Sequence, residues 1–204
     1  MKTRQPEIRT VDVARDELQC IERARAGDAK AFGLLVERYQ DRVFNVCVRI
    51  LADRAAAEDL TQEAFVKAFT SITGFDGRAA FFTWLYRIAV NLCLSARRRP
   101  TRPTVSLDAE SDGRYAATGA ARLAGDGPSP DVQAARREEH GLVLAALAEL
   151  DEEHRAVVVL RDIESLDYGE IAEILQVPTG TVKSRLHRAR MALRERLGPI
   201  LGKA

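Results

Sequence analysis

Two groups of residues in this sequence have the types and spacing to handle nucleic acid. Thr181, Lys183, Ser184, His187 and Arg188 stand near the start of a helical pattern, with Arg185, Arg190, Arg194 and Arg196 on its flanks. On the first turns of a helix, such side chains can bond base edges in a major groove while neighbouring cations meet phosphates. The second group is a ridge, Thr83, Arg87, Asn91 and Ser95, each four residues apart and running into Arg97-Arg98-Arg99. Phe75, Phe81, Phe82, Trp84 and Tyr86 crowd at its start, too many for one short segment to bury, so some are expected to be exposed. Aromatic faces, hydrogen-bonding side chains and a basic exit suit single-stranded nucleic acid, whose bases stack at about 1–3 kcal/mol each. The alternative is that Phe81, Trp84, Leu85, Ile88 and Leu92 form the inner face of a bundle helix. Leu85 and Ile88 take that reading, while Phe75 and the Asn91 ridge stay open between the two.

Other chemistry finds no support. There is no phosphate-binding loop, HExxH or nucleophile–base pattern, and His140, His154 and His187 have no paired spacing with carboxylates or thiols. No enzyme, cofactor or metal is expected. Cys20, Cys47 and Cys93 are odd in number, far apart and set in apolar helical patterns, which reads as buried free thiols.

Helices must position these groups. Asp167, with Glu170 three residues later, makes a reciprocal capping box for a helix burying Ile171, Ala172, Ile174 and Leu175. Pro178 disfavours helix at Val177. Thr179 is then expected to cap a second helix, ended at Leu197 by Gly198-Pro199. Val182, Leu186, Ala189, Leu193 and Leu197 form its buried stripe, and only Glu195 offsets its cations. This is a helix-turn-helix arrangement, with an amphipathic hairpin carrying a solvated basic face as the alternative.

Upstream, residues 1–10 read as frayed. A first helix, about Asp12–Ala26, should bury Leu18 and Ile21 before Gly27. Asp28 caps a second, with a stripe from Phe32 to Ile50, and Asp53 caps a third, with Leu60, Ala64, Ala68 and Ile72 inward. Asp59, Gln62, Glu63 and Val66 share the opposite face, which by spacing alone is a solvated acidic surface. A turn, Thr73–Gly77, leads to a fourth helix from about Ala80 to Arg98. From Pro100 to about Pro130, Pro, Gly, Ser and Ala with an acidic balance mark a flexible linker. Helices resume near Asp131, with Val143, Leu144, Leu147 and Leu150 inward. Asp151 caps another, packing Ala156, Val157, Val159, Leu160 and Ile163. The expectation is an all-α fold: two small helical bundles, residues 12–99 and 131–198, joined by residues 100–130. With 204 residues and a net charge of +1, the distribution of cations matters more than their sum. No apolar run approaches the ~20 residues of a membrane span, and the N-terminus lacks a signal peptide's apolar core. A cytoplasmic protein without membrane insertion is expected.

Four segments together carry a resemblance: Ala26–Phe44, Ala57–Phe69, Phe81–Arg99 and the helix-turn-helix with Leu150–Leu175 before it. In this order, with a linker between, the chain resembles the extracytoplasmic-function group of bacterial sigma factors. The resemblance implies a protein that binds bacterial core RNA polymerase and promoter DNA and directs transcription initiation. It implies that the face of Asp59, Gln62, Glu63 and Val66 docks on the polymerase clamp helices. By the same likeness, Phe75, Trp84, Arg87 and Asn91 hold the melted non-template strand of the minus-ten element, with a base flipped from the stack. Lys183, Ser184, Arg185, His187, Arg188, Arg190 and Arg194 would meet the minus-thirty-five element. An anti-sigma factor is a partner typical of the family. Two other classes fit parts of the sequence: a helix-turn-helix regulator acting alone on duplex DNA, against which the single-strand ridge speaks, and a protein that only sequesters a partner.

Overall fold

Asp28, Asp53, Asp151 and Asp167 each end one stretch of chain and begin a helix. In the computed structural model their carboxylates accept from the backbone N–H of Ala31 (3.1 Å), Ala56 (3.1 Å), His154 (2.9 Å) and Glu170 (2.9 Å). These bonds satisfy donors that a helix N-terminus leaves without partners. The structure describes residues 7–98 and 141–201. The linker and the helix expected from Asp131 to residue 140 lie outside these.

The helices are α1 (Glu7–Arg25), α2 (Ala29–Leu51), α3 (Arg54–Ser71), α4 (Phe81–Arg98), α5 (141–148), α6 (Glu152–Val158), α7 (Tyr168–Leu175) and α8 (Thr179–Leu201). A 3-10 turn, Ile72–Gly74, follows α3, and a π turn, Val159–Ile163, extends α6. The fold is all-α, and no strand occurs among the described residues. Helices α1–α4 form one bundle around Leu35, Val43, Val46, Ile50, Leu85 and Val90, and α5–α8 a second around Val157, Leu160, Ile171, Ile174 and Val182. Cys47 and Cys93 are buried and Cys20 half-buried, all three as free thiols.

The bundles pack on one another, α7 against α4 and α6 against α2. Arg155, 2% exposed, crosses the junction. Its guanidinium donates to the carbonyls of Ile50 at the end of α2 (2.6 Å), Ala148 (2.6 Å) and Leu150 (2.7 Å). Glu164 crosses the junction as well: the Tyr86 hydroxyl donates to its carboxylate at 2.9 Å, and Arg42 and Arg49 lie 3.4 and 3.8 Å away.

Several local expectations are corrected. Helix α1 starts at Glu7, within the stretch expected to fray. Leu18 is 62% exposed, because Glu17, Ile21 and Ala24 set the face toward α2. Glu17 accepts there from the Tyr39 hydroxyl at 2.8 Å and from Arg38 at 3.2 Å. Val143 is exposed while Leu147 and Leu150 are buried, so α5 turns a narrower face inward than expected. The extra residue of the π turn shifts the helical phase, putting Ile163 outward and bringing Glu164 toward α4. Thr179 is the first residue of α8 rather than its cap, the Pro178 carbonyl accepting from Thr181 and Val182. Gly198-Pro199 does not end α8, which runs to Leu201. Proline's fixed φ is compatible with a helix, and its missing N–H costs one bond near an end.

The Asp151 cap carries a pH signature. Burial raises its pKa, but bonds from the His154 backbone and ring outweigh this and hold the carboxyl below its usual 3.8. A depressed folded-state pKa gives stability that is full above the unfolded value and lost as pH falls through the folded one. Asp151→Ala should therefore cost about 1 kcal/mol near neutral pH. Urea denaturation across acidic pH should show the gap to wild type closing below the carboxylate range; a constant gap would deny the cap that role.

Candidate nucleic-acid interface

Three surfaces hold the residues singled out from sequence. On α3, Ala57, Thr61, Ala64, Phe65 and Ala68 are buried, which leaves Asp59, Gln62, Glu63 and Val66 outward. Val66 is 62% exposed, and the neighbouring Phe69 is 40% exposed although its ring lies 5.0 Å from Phe32. Glu63 pairs with Lys67 at 2.9 Å, one helical turn along. An apolar spot rimmed by carboxylates and an amide is a composition suited to protein docking.

The second surface centres on the start of α4. Contrary to expectation, Phe75, Phe81, Trp84 and Tyr86 are all buried, and only Phe82 is half-buried. The rings achieve this by packing on each other: Phe75 lies 5.7 Å from Phe81 and 5.4 Å from Trp84, and Phe81 lies 5.6 Å from Tyr39. The loop after Ile72 folds Phe75 back over α4, so one segment does fill a core with aromatics. Thr83 is also buried, Arg87 and Asn91 are half-buried and Ser95 is exposed. Above the ring cluster lies a cavity of about 450 Å³, walled by Phe75, Asp76, Arg78, Thr83, Trp84 and Arg87 and, across from them, by Glu173 of α7 and Gln176 just after it. A groove of about 410 Å³ between α3 and α4 has Glu63, Lys67, Asn91 and Ser95 in its walls.

The third surface is α8. The capping box of α7 forms as read, Glu170 accepting from the Asp167 N–H at 2.8 Å. Gln176 in the left-handed region (φ 55°) makes the turn into α8. Val182, Leu186 and Ala189 are buried, and Lys183, Ser184, His187, Arg188 and Arg194 are exposed. The other cations are offset from outside the helix: Arg185 pairs with Glu153, Arg190 with Asp162, and Arg196 with Glu149 at 2.6 Å. Glu195 is thus not the sole counter-charge, and these three arginines fasten α8 to its bundle. Lys183 lies 5.6 Å from the centre of the Tyr168 ring, which also faces Arg161 at 4.9 Å.

Arg42, Arg49, Arg155 and Glu164, which join the two bundles, are set in no spacing motif of the sequence. Only Arg155 left a trace: a lone cation heading the apolar run Ala156–Leu160.

Residues 35–102 match the family Sigma-70 region 2, and residues 140–193 match the family Sigma-70, region 4. The sequence is 40% identical over 177 residues to the ECF RNA polymerase sigma factor SigW of Bacillus subtilis, covering 87% of this chain and 94% of that one. It is 39% identical over 192 residues to the RNA polymerase sigma-H factor of Pseudomonas aeruginosa, covering 91% and 96%. Among solved structures, it is similar to the sigma factor RpoE of Bartonella quintana in complex with the anti-sigma factor NepR. That match has a TM-score of 0.60 at 26% identity and covers 83% of this chain and 98% of that one.

Proposed function

Because the chain belongs to the extracytoplasmic-function group of sigma-70 factors, we propose that its three surfaces divide the work of promoter-directed transcription initiation. The protein binds core RNA polymerase and directs it to promoters. Residues 12–99 serve the polymerase and the minus-ten element, and residues 131–198 serve the minus-thirty-five element. Asp59, Gln62, Glu63 and Val66 dock on the polymerase. Arg87 and Asn91 hold the melted strand, and Phe75 and Trp84 form the apolar wall of the cavity beside it. An amide such as that of Asn91 offers a base edge both a donor and an acceptor. Lys183, Ser184, His187 and Arg188 read base edges in the major groove and Arg194 meets the backbone, while Arg185 and Arg190 hold α8 in place. The polymerase supplies the chemistry in the cytoplasm, and this chain supplies recognition. An anti-sigma factor is the regulatory partner, as in the Bartonella complex.

The observation that carries this reading is the polarity of α8. Its early turns present exposed polar and basic side chains opposite a buried stripe, and its flanking arginines are committed within the chain. A base-contacting Arg contributes about 1–3 kcal/mol of discrimination, whereas a phosphate contact weakens all sequences alike and lowers the salt slope by about one. Arg188→Ala should therefore narrow the gap between cognate and scrambled minus-thirty-five elements. Arg194→Ala should weaken both equally and flatten the salt dependence. Holoenzyme binding to both promoters across a salt series is the measurement. A preserved cognate-to-scrambled ratio in Arg188→Ala would remove it from the base readers.

A further inference from the structure

Two of the three thiols lie side by side inside the N-terminal bundle. Helices α2 and α4 run alongside one another in the same direction: the Tyr39 and Phe81 rings are 5.6 Å apart, and the Arg42 guanidinium lies 5.8 Å from the centre of the Tyr86 ring. Continuing along both helices brings Cys47, on the buried stripe of α2, to Cys93, on that of α4. The two thiols share a hydrogen bond, and each residue is 0% exposed. Burial alone makes a cysteine inert. Here, however, each sulfur has the other as a polar partner. The buried Thr61 hydroxyl of α3 makes no hydrogen bond of ordinary geometry but lies close enough to Cys47 to favour its thiolate. The bond from Cys93 lowers the Cys47 pKa against the cost of burial, and the same bond, with burial after it, raises that of Cys93. One thiol is thus the readier nucleophile, and the other stands in place to resolve it.

We propose that Cys47 and Cys93 are a peroxide-responsive pair whose disulfide ties α2 to α4 and slows promoter opening. The effect on opening rests on the strand-binding reading of the α4 ridge, whereas the bond itself does not. Hydrogen peroxide gives one oxygen to the Cys47 sulfur, forming a sulfenic acid, and its other oxygen leaves as water. The Cys93 sulfur then attacks the Cys47 sulfur, the S–O bond breaks, and the hydroxide leaves as water with the Cys93 proton. The two thiols lose two electrons in all, and the peroxide, which becomes two waters, gains them. Inside a cell such a bond is transient, and thiol reductants reverse it. Because both sulfurs are buried, the reaction follows local opening of the bundle and needs a sustained oxidant. Joining the sulfurs at about 2.05 Å draws α2 and α4 together in a close-packed core. Asn91 and Ser95 of the ridge flank Cys93 on the helix that is pulled.

The test uses the full chain carrying Cys20→Ala, in which the pair holds the only thiols left. The protein is treated with hydrogen peroxide, cleared of it with catalase, and divided. Denaturation with an alkylating agent and peptide mapping should find two peptides joined through Cys47 and Cys93. Run-off transcription with untreated core polymerase should fall roughly tenfold, since displacements of about 1 Å are costly in a pre-arranged site, and dithiothreitol should restore it. Oxidised and reduced forms of one protein are compared, so the result does not depend on how a variant folds. Adding Cys93→Ala should abolish both the cross-link and the loss. Thiols that stay open to alkylation throughout, a cross-link that leaves initiation at its reduced rate, or an equal loss in Cys93→Ala would each overturn the proposal. Permanganate reactivity of the minus-ten element with reduced Asn91→Ala reads the ridge without oxidation, so a failure of that reading is distinguishable from a failure of the pair.

Discussion

Arg155→Ala should be the most destabilising single substitution at the junction of the bundles, costing about 3–5 kcal/mol. The guanidinium donates to three backbone carbonyls and is 2% exposed. Truncation leaves those acceptors without it, at about 1–3 kcal/mol for each buried group left unsatisfied, and least for the part-buried carbonyl of Ala148. A total in the lower part of that sum is expected because neighbouring chain can relax. Typical domains have only about 5–15 kcal/mol to lose. Arg155→Lys should recover part of the loss, since an ammonium lacks the planar fork that reaches several carbonyls at once. Urea denaturation should show a lower midpoint in both, with Ala below Lys. A loss under about 1 kcal/mol for Arg155→Ala would mean that other groups satisfy those carbonyls.

The largest functional effect is expected on the outer face of α3. Gln62→Ala combined with Glu63→Lys should cut affinity for core polymerase at least roughly tenfold, about 1.4 kcal/mol. Both side chains are exposed, and neither contributes to the core of the bundle. Glu63 pairs with Lys67 one turn along, with both side chains about half exposed, and such i,i+4 pairs contribute only ~0.3–0.5 kcal/mol. Helicity and melting should therefore barely change, while charge reversal places a repulsive group in the centre of the docking face. Titration of labelled protein with purified core enzyme measures this directly. Wild-type affinity would remove the face from the docking surface, and a collapse of helicity would make these residues structural.

What the sequence determined by itself is whatever depends on residues a few positions apart. The caps at Asp28, Asp53, Asp151 and Asp167 follow from one side chain meeting an N–H three residues on. The stripes of α2 and α8 follow from helical periodicity, and so does the outward placement of Asp59, Gln62, Glu63 and Val66. The docking role proposed for that face rests on the resemblance, because spacing alone cannot tell a solvated face from a docking one. Contacts between residues far apart in the chain were decided by the tertiary structure. Phe75, Phe81 and Trp84 looked too many to bury until the loop after Ile72 stacked them on each other. Arg185, Arg190 and Arg196 read as flanking cations for phosphates until Glu149 after α5, Glu153 of α6 and Asp162 of the π turn were brought to them. Glu164 carried no signal, because its partners Arg42, Arg49 and Tyr86 lie in the other bundle and only the π turn aims it there. Local geometry repeats with the helical period and can be read along the chain; a buried charge between two bundles is defined only once they meet.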